Sequence, residues 1–472
     1  MKAMFVHAWE KNPLLLGGLL LFLGILFALQ TPWALAPFLL LLPFTPSKRF
    51  PLLLFLFLFP LPYLQITHTF PSSGTYLEGK FSSNQVTEID RFSQGWTYRG
   101  TLKTKEGKLH ATLYSPEPLN PNTTYQIKGI AQTKEGRFYR IKPLEPWRPL
   151  KRHISLTKWR FEQKKAIGKR IEKAVSQKKA AAFLKGLATG NLEDRTLREE
   201  LSKLGVSHIM AISGFHFALI TCFFHLLFRI FLPAKFEAVL LILVTTLYLL
   251  YIGDSPSVVR AYIALTLFFL GQILERPISP LNALGGALCF SCLINPVSAT
   301  TVSFQLSFLA TGGILLLYTP LDKTLQKWLP KLPLKEVLEK RFHTQLLYLF
   351  GALFREAFAL SLAVHLSLCP LLLTYFHILS FNSLLYNLFF PFLASFALLL
   401  LLLGELFGPW LHTINGYYSS WLLKISEHPP LSLPNLYLET LSPWITALYL
   451  PLLLLTALLY KEHILQTRIE TA

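Results

Sequence analysis

Several polar side chains interrupt long apolar runs, where each of them needs a hydrogen-bond partner or a water-filled cavity. In 205-GVSHIMAISGFHFALI-220, the residues His208, Ser213 and His216 surround Gly214 at the start of an apolar segment. A glycine-broken polar turn is tolerated at membrane depth when it lines a cavity, and its backbone groups can bind a passing solute. We therefore predict that these four residues line a polar passage.

A second polar cluster, 253-GDSPSVVRAYI-263, precedes another apolar run. Pro256 fits the first turn of a helix, and Asp254 or Ser255 can cap that helix. Arg260 then lies one turn inside. Two interpretations stay open for this arginine. It either snorkels or pairs with Asp254, or it lines a passage for an anion.

Three further clusters place polar residues among apolar ones, in 276–288, 301–313 and 361–388. Within 301–313, the polar residues recur three or four apart, which predicts a shared helix face used for tight packing or as a polar path. The complete set of predicted lining residues is His208, Ser213, Gly214, His216, Asp254, Ser255, Arg260, Asn282, Gln305, Ser307, His365 and Asn387.

Enzyme chemistry receives little support from these residues. Ser213 beside His216, with His365 or His377 as a possible base, suggests an intramembrane serine hydrolase, but no GxSxG or HExxH pattern accompanies them. No HxHxDH-like metal cluster occurs, and all four cysteines lie in apolar stretches. We predict a channel or transporter with no catalytic residues, no metal and no cofactor.

The elements that position these residues must be mostly membrane helices. The 472 residues are 52% hydrophobic and only 15% charged, which excludes a cytosolic enzyme, a fibrous protein and a disordered chain. We predict a mainly α, polytopic helical integral membrane protein with roughly 10–11 membrane segments. The predicted segments are 13–30, 32–45, 50–66, 208–232, 236–253, 256–274, a short element at 281–294, 297–318, one or two within 346–378, 384–407 and 441–460.

Residues 67–146 are different, since they are polar and alternate as strands do. Runs at 95–103, 108–115 and 124–132 are separated by turn signals. About 80 residues and roughly five strands suit a small inserted OB-like β barrel, although the spacing alone does not distinguish it from an SH3-like one.

The net charge of +19 is concentrated after this β region. Residues 148–185 contain 13 Lys and Arg against two Glu, and their apolar positions predict a basic amphipathic helix. Either a lipid-facing or solvated stripe or a nucleic-acid contact explains it. Basic residues at the N-terminus place this segment outside the cytoplasm, which the charge rule disfavours unless an anionic ligand binds. The DNA-binding candidates are Trp96, Tyr98, Arg99, Lys103, Lys108, Arg137, Arg140, Lys164, Lys165, Lys169 and Arg170.

Four sequence elements resemble, in order, the motifs of the ComEC family of DNA-uptake channels. They are 182-AFLKGLATGNLEDRTLREELSKLGVSHIMAISGFHFALI-220, 254-DSPSVVRAYI-263, 281-LNALGGALCFSCLINPVSATTVSFQLSFLATGGILLL-317 and 361-SLAVHLSLCPLLLTYFHILSFNSLLYNLFFPFLASF-396. The β region resembles the family's external OB-like domain.

This resemblance implies transport of single-stranded transforming DNA across the bacterial cytoplasmic membrane during natural competence. It also implies membrane lipids, a separate nuclease, a periplasmic DNA-binding protein and a cytoplasmic motor as partners. Since no metallo-β-lactamase-like segment follows, we expect a short form of the family. The alternative function is transport of a small anion or lipid.

The predicted domains are N-terminal membrane segments (1–66), the OB-like domain (67–146), a basic helical connector (147–205), the channel domain (206–462) and a short tail (463–472).

Overall fold

The computed structural model describes residues 2–29, 34–46, 50–68, 70–89, 95–134, 138–153, 155–431, 433–438 and 442–470. The chain is mostly helical, as predicted. Its helices are α1 (Lys2–Lys11), α2 (Pro13–Ala28), α3 (Leu35–Leu41), α4 (Phe50–Leu58), α5 (Pro60–Thr67), α6 (Thr157–Ala174), α7 (Lys178–Thr189), α8 (Arg195–Lys203), α9 (Gly214–Phe228), α10 (Ala234–Ile252), α11 (Pro256–Ile273), α12 (Pro280–Ile294), α13 (Val302–Leu325), α14 (Leu334–Leu338), α15 (Phe342–Phe376), α16 (Phe381–Tyr386), α17 (Phe390–Phe407), α18 (Trp410–Glu427) and α19 (Pro443–Glu470).

Five of the described helices are long and apolar enough to cross a membrane, namely α10, α11, α13, α15 and α17. Six shorter apolar helices accompany them, at Pro13–Ala28, Leu35–Phe44, Pro51–Leu64, Gly214–Phe228, Pro280–Ile294 and Trp444–Tyr460. The membrane-protein prediction is therefore confirmed for five segments. The region 346–378, predicted as one or two crossings, forms the single helix α15.

The β region folds as a six-stranded sheet. Its strands are β1 (Tyr76–Ile89), β2 (Gly95–Lys103), β3 (Lys108–Ser115), β4 (Thr123–Lys134), β5 (Phe138–Pro143) and β6 (Arg148–Arg152). The order is β1-β2-β3-β5-β4-β6, and β1 also pairs with β4. The three strands predicted from alternation correspond to β2, β3 and β4. The sheet continues through β6, past the predicted boundary at 146.

Alternation along the strands produces the core of the sheet, because successive side chains point to opposite faces. Buried Leu102, Leu109 and Leu113 pack with residues of β1, β4 and β5. Trp147 closes this core with edge-on contacts to Phe81 and Tyr98. The opposite face of β2, β3 and β5 is therefore free to carry polar and basic side chains.

The helices between the sheet and the membrane bundle form a second core. Apolar residues of α6, α7 and α8 pack with those of α16, α17 and α18. Arg170 pairs with Glu405 at 2.8 Å, and Lys179 pairs with Glu427 at 2.6 Å. Both ends of the α17–α18 pair thus contact the basic connector. Helix α18, with its mixed composition, is not among the predicted segments.

The long antiparallel helices α13 and α15 define the two ends of the bundle. At one end of the α13–α15 pair, Tyr375 donates to Gln305 at 3.2 Å, and at the other end Arg355 donates to Asp322 at 2.8 Å. The first end contacts the sheet, because His110 of β3 meets Asn295, which follows α12. We call this end the sheet side and the other the far side. A two-stranded sheet of β7 (Ile378–Ser380) and β8 (Asn435–Tyr437) also lies on the sheet side.

Candidate functional site

Arg260 occupies the centre of the polar cluster inside the bundle. It lies on α11 and is only 8% exposed. Its Nε donates to Ser307 Oγ at 2.8 Å, and its Nη1 donates to Thr311 Oγ1 at 2.6 Å, both on α13. The Phe308 ring centroid lies 6.0 Å from its Cζ. No described carboxylate lies within 4.0 Å of this guanidinium, so the predicted alternative of an Asp254 pair does not form among the described residues.

The first turn of α9 completes the cluster. A Cβ built on Gly214 would lie 2.6 Å from Arg260 Nη2, so the guanidinium packs directly against this helix end and would have to shift if a side chain were added there. Ser213 caps the helix, since its Oγ accepts from Phe215 N at 3.3 Å. His216 Nδ1 accepts in return from Ser213 N at 3.4 Å. The Ser213–His216 pair thus forms a capping box.

The local sequence explains where α11 begins and therefore why Arg260 lies one turn inside that helix. Gly253 ends α10 with a φ of +107°, a conformation that L side chains rarely adopt. Pro256 follows in the first turn of α11, with Ser255 at the N-cap position. The Ser257 hydroxyl donates to Ile212 O at 2.9 Å, and this bond ties α11 to the segment before α9. The turn therefore aligns α11 with the glycine break of α9.

Asp254 and Ser255 lie apart from Arg260 and border a small cavity of about 60 Å³ between the sheet, α6 and the α10–α11 turn. Two basic side chains of α6 donate hydrogen bonds there to carbonyl groups at the C-terminus of α10. Arg160 Nε donates to Leu250 O at 2.7 Å, and Lys164 Nζ donates to Ile252 O at 2.9 Å. Burial, and then the Arg160 charge, lowers the pKa of Lys164 to about 8. Lys164 is thus held against a helix end.

Gln305 lies on a different face of α13 from Ser307 and Thr311. The shared face predicted for these residues does not hold, because two positions along a helix turn a side chain by about 200°. Gln305 instead borders a cavity of about 350 Å³ whose lining is almost entirely apolar. Its Nε2 donates to Ala299 O at 3.2 Å. An apolar cavity is a poor path for a charged solute.

His208 and His365 lie at a third location, where the short 3-10 helix Ser207–Ile209 meets α15 and α16. His365 Nε2 lies 2.5 Å from Ser383 Oγ, and His365 Nδ1 lies 2.8 Å from Ser361 O. His208 Nδ1 lies 3.2 Å from Gly205 O. Ser383 packs directly against Gly205. These histidines therefore join α15, α16 and the segment before α9.

The two asparagines of the predicted set also lie elsewhere. Asn282 Nδ2 donates to Lys11 O at 2.8 Å, and its Oδ1 accepts from Leu14 N at 3.2 Å. These bonds fasten α12 to the junction of α1 and α2. Asn387 follows α16, and its buried Oδ1 finds no described partner. Of the twelve predicted residues, the structure thus brings together Ser213, Gly214, His216, Arg260 and Ser307.

Four of the DNA-binding candidates share the outer face of the sheet. Arg99 and Arg140 flank Thr112 from β2 and β5, and Lys103 pairs with Lys108. All four side chains are exposed, and none lies within 4.0 Å of a described carboxylate. We call Arg99, Lys103, Lys108 and Arg140 the basic sheet face.

The other candidates are placed differently. Tyr98 is 2% exposed, and its hydroxyl donates to Leu119 O at 3.1 Å. Trp96 packs against the same sheet core. Lys165 pairs with Glu88 at 2.8 Å, while Lys169 is exposed on α6. The remaining candidates are the ion-paired Arg170, the helix-capping Lys164 and Arg137, which lies outside the described residues.

One contact between the sheet and the bundle escaped the sequence predictions. His110 Nε2 lies 3.2 Å from Asn295 Oδ1, and His110 belongs to the same face of β3 as Lys108. Burial lowers the pKa of His110, which the Asn295 hydrogen bond and Asp254 partly counteract. Burial, with the charges of His110 and Lys108, also lowers the pKa of His68. No sequence signal pairs residues so far apart.

In the described part of the chain, no group of three or more His, Cys, Asp or Glu side chains is placed to hold a metal ion.

Comparisons with known proteins identify the family of this chain. The family model described as "Competence protein" matches residues 187–463, more than half of the chain. The chain is 30% identical over 126 residues to ComE operon protein 3 of Bacillus subtilis, covering 26% of this chain and 16% of that protein. It is 29% identical over 246 residues to Recombination protein 2 of Haemophilus influenzae, covering 50% of this chain and 28% of that protein. The matched regions span less than a third of either relative. No solved structure matches.

Proposed function

Because the chain belongs to the Competence protein family, we propose that it moves one strand of transforming DNA across the bacterial cytoplasmic membrane during natural competence. The sheet side faces outward in this proposal. Lysines of the far side support the orientation, since α1 and the segment between α13 and α15 are basic and cytoplasmic loops favour Lys and Arg.

The basic sheet face supports an initial contact with DNA. Strand order β1-β2-β3-β5-β4, with β4 returning to β1, fits an OB-like barrel, which we assign to this domain. OB folds bind single strands on the face of strands 2 and 3, where phosphates meet basic side chains and bases stack on aromatic rings. Arg99, Lys103 and Lys108 occupy that face, and Tyr114 lies opposite Thr97 beside them.

A line of contacts from this face to the bundle supports the proposal. His110 connects the basic sheet face to Asn295, at the sheet end of the membrane helices. Asn295 precedes α13, whose Ser307 and Thr311 hold Arg260. In this proposal, a strand bound on the sheet lies at the end of the bundle nearest to the polar cluster. The 350 Å³ cavity is excluded as the route by its apolar lining.

Uptake of labelled DNA tests the function directly. We expect cells lacking this protein to bind DNA at the surface as usual but to admit none to the cytoplasm, measured as nuclease-protected label in spheroplasts. Normal entry in the deletion strain would overturn the proposal.

Binding by the purified full chain separates DNA transport from the alternative of a small-anion transporter. We expect Arg99→Glu with Arg140→Glu to weaken binding of single-stranded dT20 and to make its salt dependence shallower by about 1.4, since each phosphate contact on a single strand contributes about 0.7. The matched control reverses two exposed charges of the far side, Lys331→Glu with Lys335→Glu, and should leave binding unchanged. Equal losses in both variants would indicate nonspecific attraction only.

We also propose the partners implied by the family: a separate nuclease, an external DNA-binding protein and a cytoplasmic motor. These would deliver the strand to the basic sheet face and withdraw it from the far side.

A further inference from the structure

The Arg260 guanidinium is a buried positive charge that the described residues do not neutralise. Its contacts with Ser307 and Thr311 are bonds to neutral hydroxyls. Thr311 Oγ1 itself donates to Ser307 O at 3.1 Å, so its lone pairs are left to accept from the arginine. Hydroxyls satisfy N–H groups but supply no counter-charge. A buried charge without an opposite partner is costly, which implies that an anion completes this site.

The second feature of the site is the N-terminus of α9, whose partial charge is positive like that of the guanidinium. Gly214 is the first residue of α9, and the absence of a side chain there brings Nη2 against the start of that helix. Helix N-termini carry a partial positive charge and bind anions. A guanidinium and a helix N-terminus repel each other unless an anion lies between or beside them. The close approach is thus unfavourable in the empty site and favourable in an occupied one.

Two donors remain available in this cluster. Among the described residues none accepts a hydrogen bond from Arg260 Nη2, whereas Nε and Nη1 are both engaged. His216, in the same first turn of α9, is 1% exposed, and its Nε2 has no described partner. A buried polar atom without a partner is expensive, and sites of this kind mark places where a ligand or water binds.

We propose that Arg260, held by Ser307 and Thr311 beside the N-terminus of α9, binds one backbone phosphodiester of the translocating strand at a time. This inference rests on the proposed function and names the ligand of its central site. The Nη2 donors match a phosphate oxygen, and arginine is always charged. One cation for each phosphate holds the strand weakly, so that it can advance from one phosphate to the next.

The main test compares three substitutions in the full-length protein in transformable cells. Arg260→Gln removes the charge. Gly214→Ala keeps the charge but places a methyl group 2.6 Å from Nη2. Gly312→Ala is the matched control, because its Cβ would meet only Leu284 Cδ2, at 3.8 Å. We expect entry of labelled DNA to fall at least tenfold in the first two variants and by less than twofold in Gly312→Ala, at equal amounts of protein in the membrane.

Arg260→Lys provides a second measurement if Arg260→Gln accumulates poorly. Lysine keeps the charge without the forked donors, so entry should be intermediate between wild type and Gly214→Ala. Loss of entry in the deletion strain, together with wild-type entry in Arg260→Gln and Gly214→Ala, would overturn the phosphate site and leave the proposed function standing. Entry of DNA in the deletion strain would instead overturn the function itself.

Chemically altered strands identify the ligand. We expect the purified chain in lipid nanodiscs to bind dT20 with a salt dependence about 0.7 steeper than Arg260→Gln does. With a dT20 whose linkages are uncharged methylphosphonates, wild type and variant should bind equally weakly. If Arg260→Gln changes uptake of radiolabelled inorganic phosphate but not binding of dT20, the site serves a free anion and the inference is wrong.

Discussion

Two arginines lie buried in the same membrane bundle, but only one of them has a described carboxylate partner. Arg355, on α15, is 2% exposed and donates from Nε to Asp322 Oδ1 at 2.8 Å. Its Nη1 donates to Leu329 O at 2.8 Å. Arg260, on α11, is 8% exposed, and among the described residues it donates hydrogen bonds only to hydroxyl groups.

The difference separates a charge that stabilises the fold from a charge that awaits a ligand. The Arg355–Asp322 pair links α15 to α13 on the far side and fixes the segment that joins them. Removing Arg355 would leave the mostly buried Asp322 carboxylate with a hydrogen bond from Gln326 Nε2 but without a described cation. Removing Asp322 would leave Arg355 with Glu356 alone as a described carboxylate partner, at 3.4 Å. Removing Arg260 leaves no counter-charge behind among the residues that the structure describes. Burial alone therefore does not identify a functional arginine, and the lack of a described carboxylate partner is what supports the role that we propose for Arg260.

The largest expected effect comes from Arg355. We expect Arg355→Met to lower the free energy of unfolding by about 3–5 kcal/mol, since it strands the Asp322 carboxylate. Arg260→Met should change it by less than about 1 kcal/mol. Thermal unfolding of the purified proteins in one detergent measures both.

The neutral double variant is the control for this prediction. Arg355→Met with Asp322→Asn removes both charges and should recover most of the lost stability. Equal destabilisation by the two arginine substitutions would contradict the distinction between them.

A smaller effect is expected from the hydroxyls that hold Arg260. Ser307→Ala with Thr311→Val should cost about 1–3 kcal/mol of stability, because it leaves the guanidinium without acceptors. In the Arg260→Met background the same pair should cost almost nothing. A double-mutant cycle by thermal unfolding measures this coupling, and equal costs in the two backgrounds would show that the hydroxyls act through packing alone.

Lys164 represents an intermediate case, a half-buried ammonium balanced by backbone carbonyl groups. We expect Lys164→Met to destabilise the protein by about 1 kcal/mol, since Ile252 O at the end of α10 loses its donor. Lys169→Met, on the exposed part of the same helix, is the control and should be neutral. Because the folded pKa of about 8 lies below the ordinary 10.5, wild-type stability should rise with pH between those values and Lys164→Met should lack that rise.

The smallest effect concerns His110, a base that burial keeps neutral. Its folded pKa lies below 6.5, so its contribution is present above pH 6.5 and is lost as the pH falls below that value. The Asn295 hydrogen bond and the Asp254 charge partly oppose the effect of burial on the pKa of His110. Burial, then the charges of His110 and Lys108, lowers the pKa of His68 in the same way. We expect His110→Gln to reduce the loss of melting temperature between pH 7.5 and 5.5. An unchanged loss would assign the pH dependence to His68.

Much of the fold follows from local patterns. Alternation in 95–103 and 108–115 predicts β2 and β3 with their observed limits, because the side-chain period of a strand is two. The apolar run near 256–274 and its Pro256 start predict α11 for similar local reasons. Helix α18 and the continuity of α15 were not predictable in this way. The apolar residues of α18 lie among polar ones, and those of α15 extend past one membrane thickness.

The candidate site was only partly accessible from the sequence. Gly214 and Arg260 were identified as candidate site residues because polar groups inside apolar runs need partners. Their contact with each other was not, although the separation of Ser307 from Gln305 follows from their spacing of two along a helix. Helical spacing gives the faces of one helix but not the neighbour that each face meets.

The sequence by itself determined that this chain spans a membrane, carries a small β domain and belongs among competence proteins, because apolar length, alternation and ordered motifs are local properties. Only the tertiary structure decided which charges are paired. Asp322 neutralises Arg355 across two helices, Ile252 O engages Lys164, and Arg260 is left with hydroxyls. The partner of a buried charge depends on how distant segments pack, and that packing, rather than the residue type, assigns Arg260 to an anion.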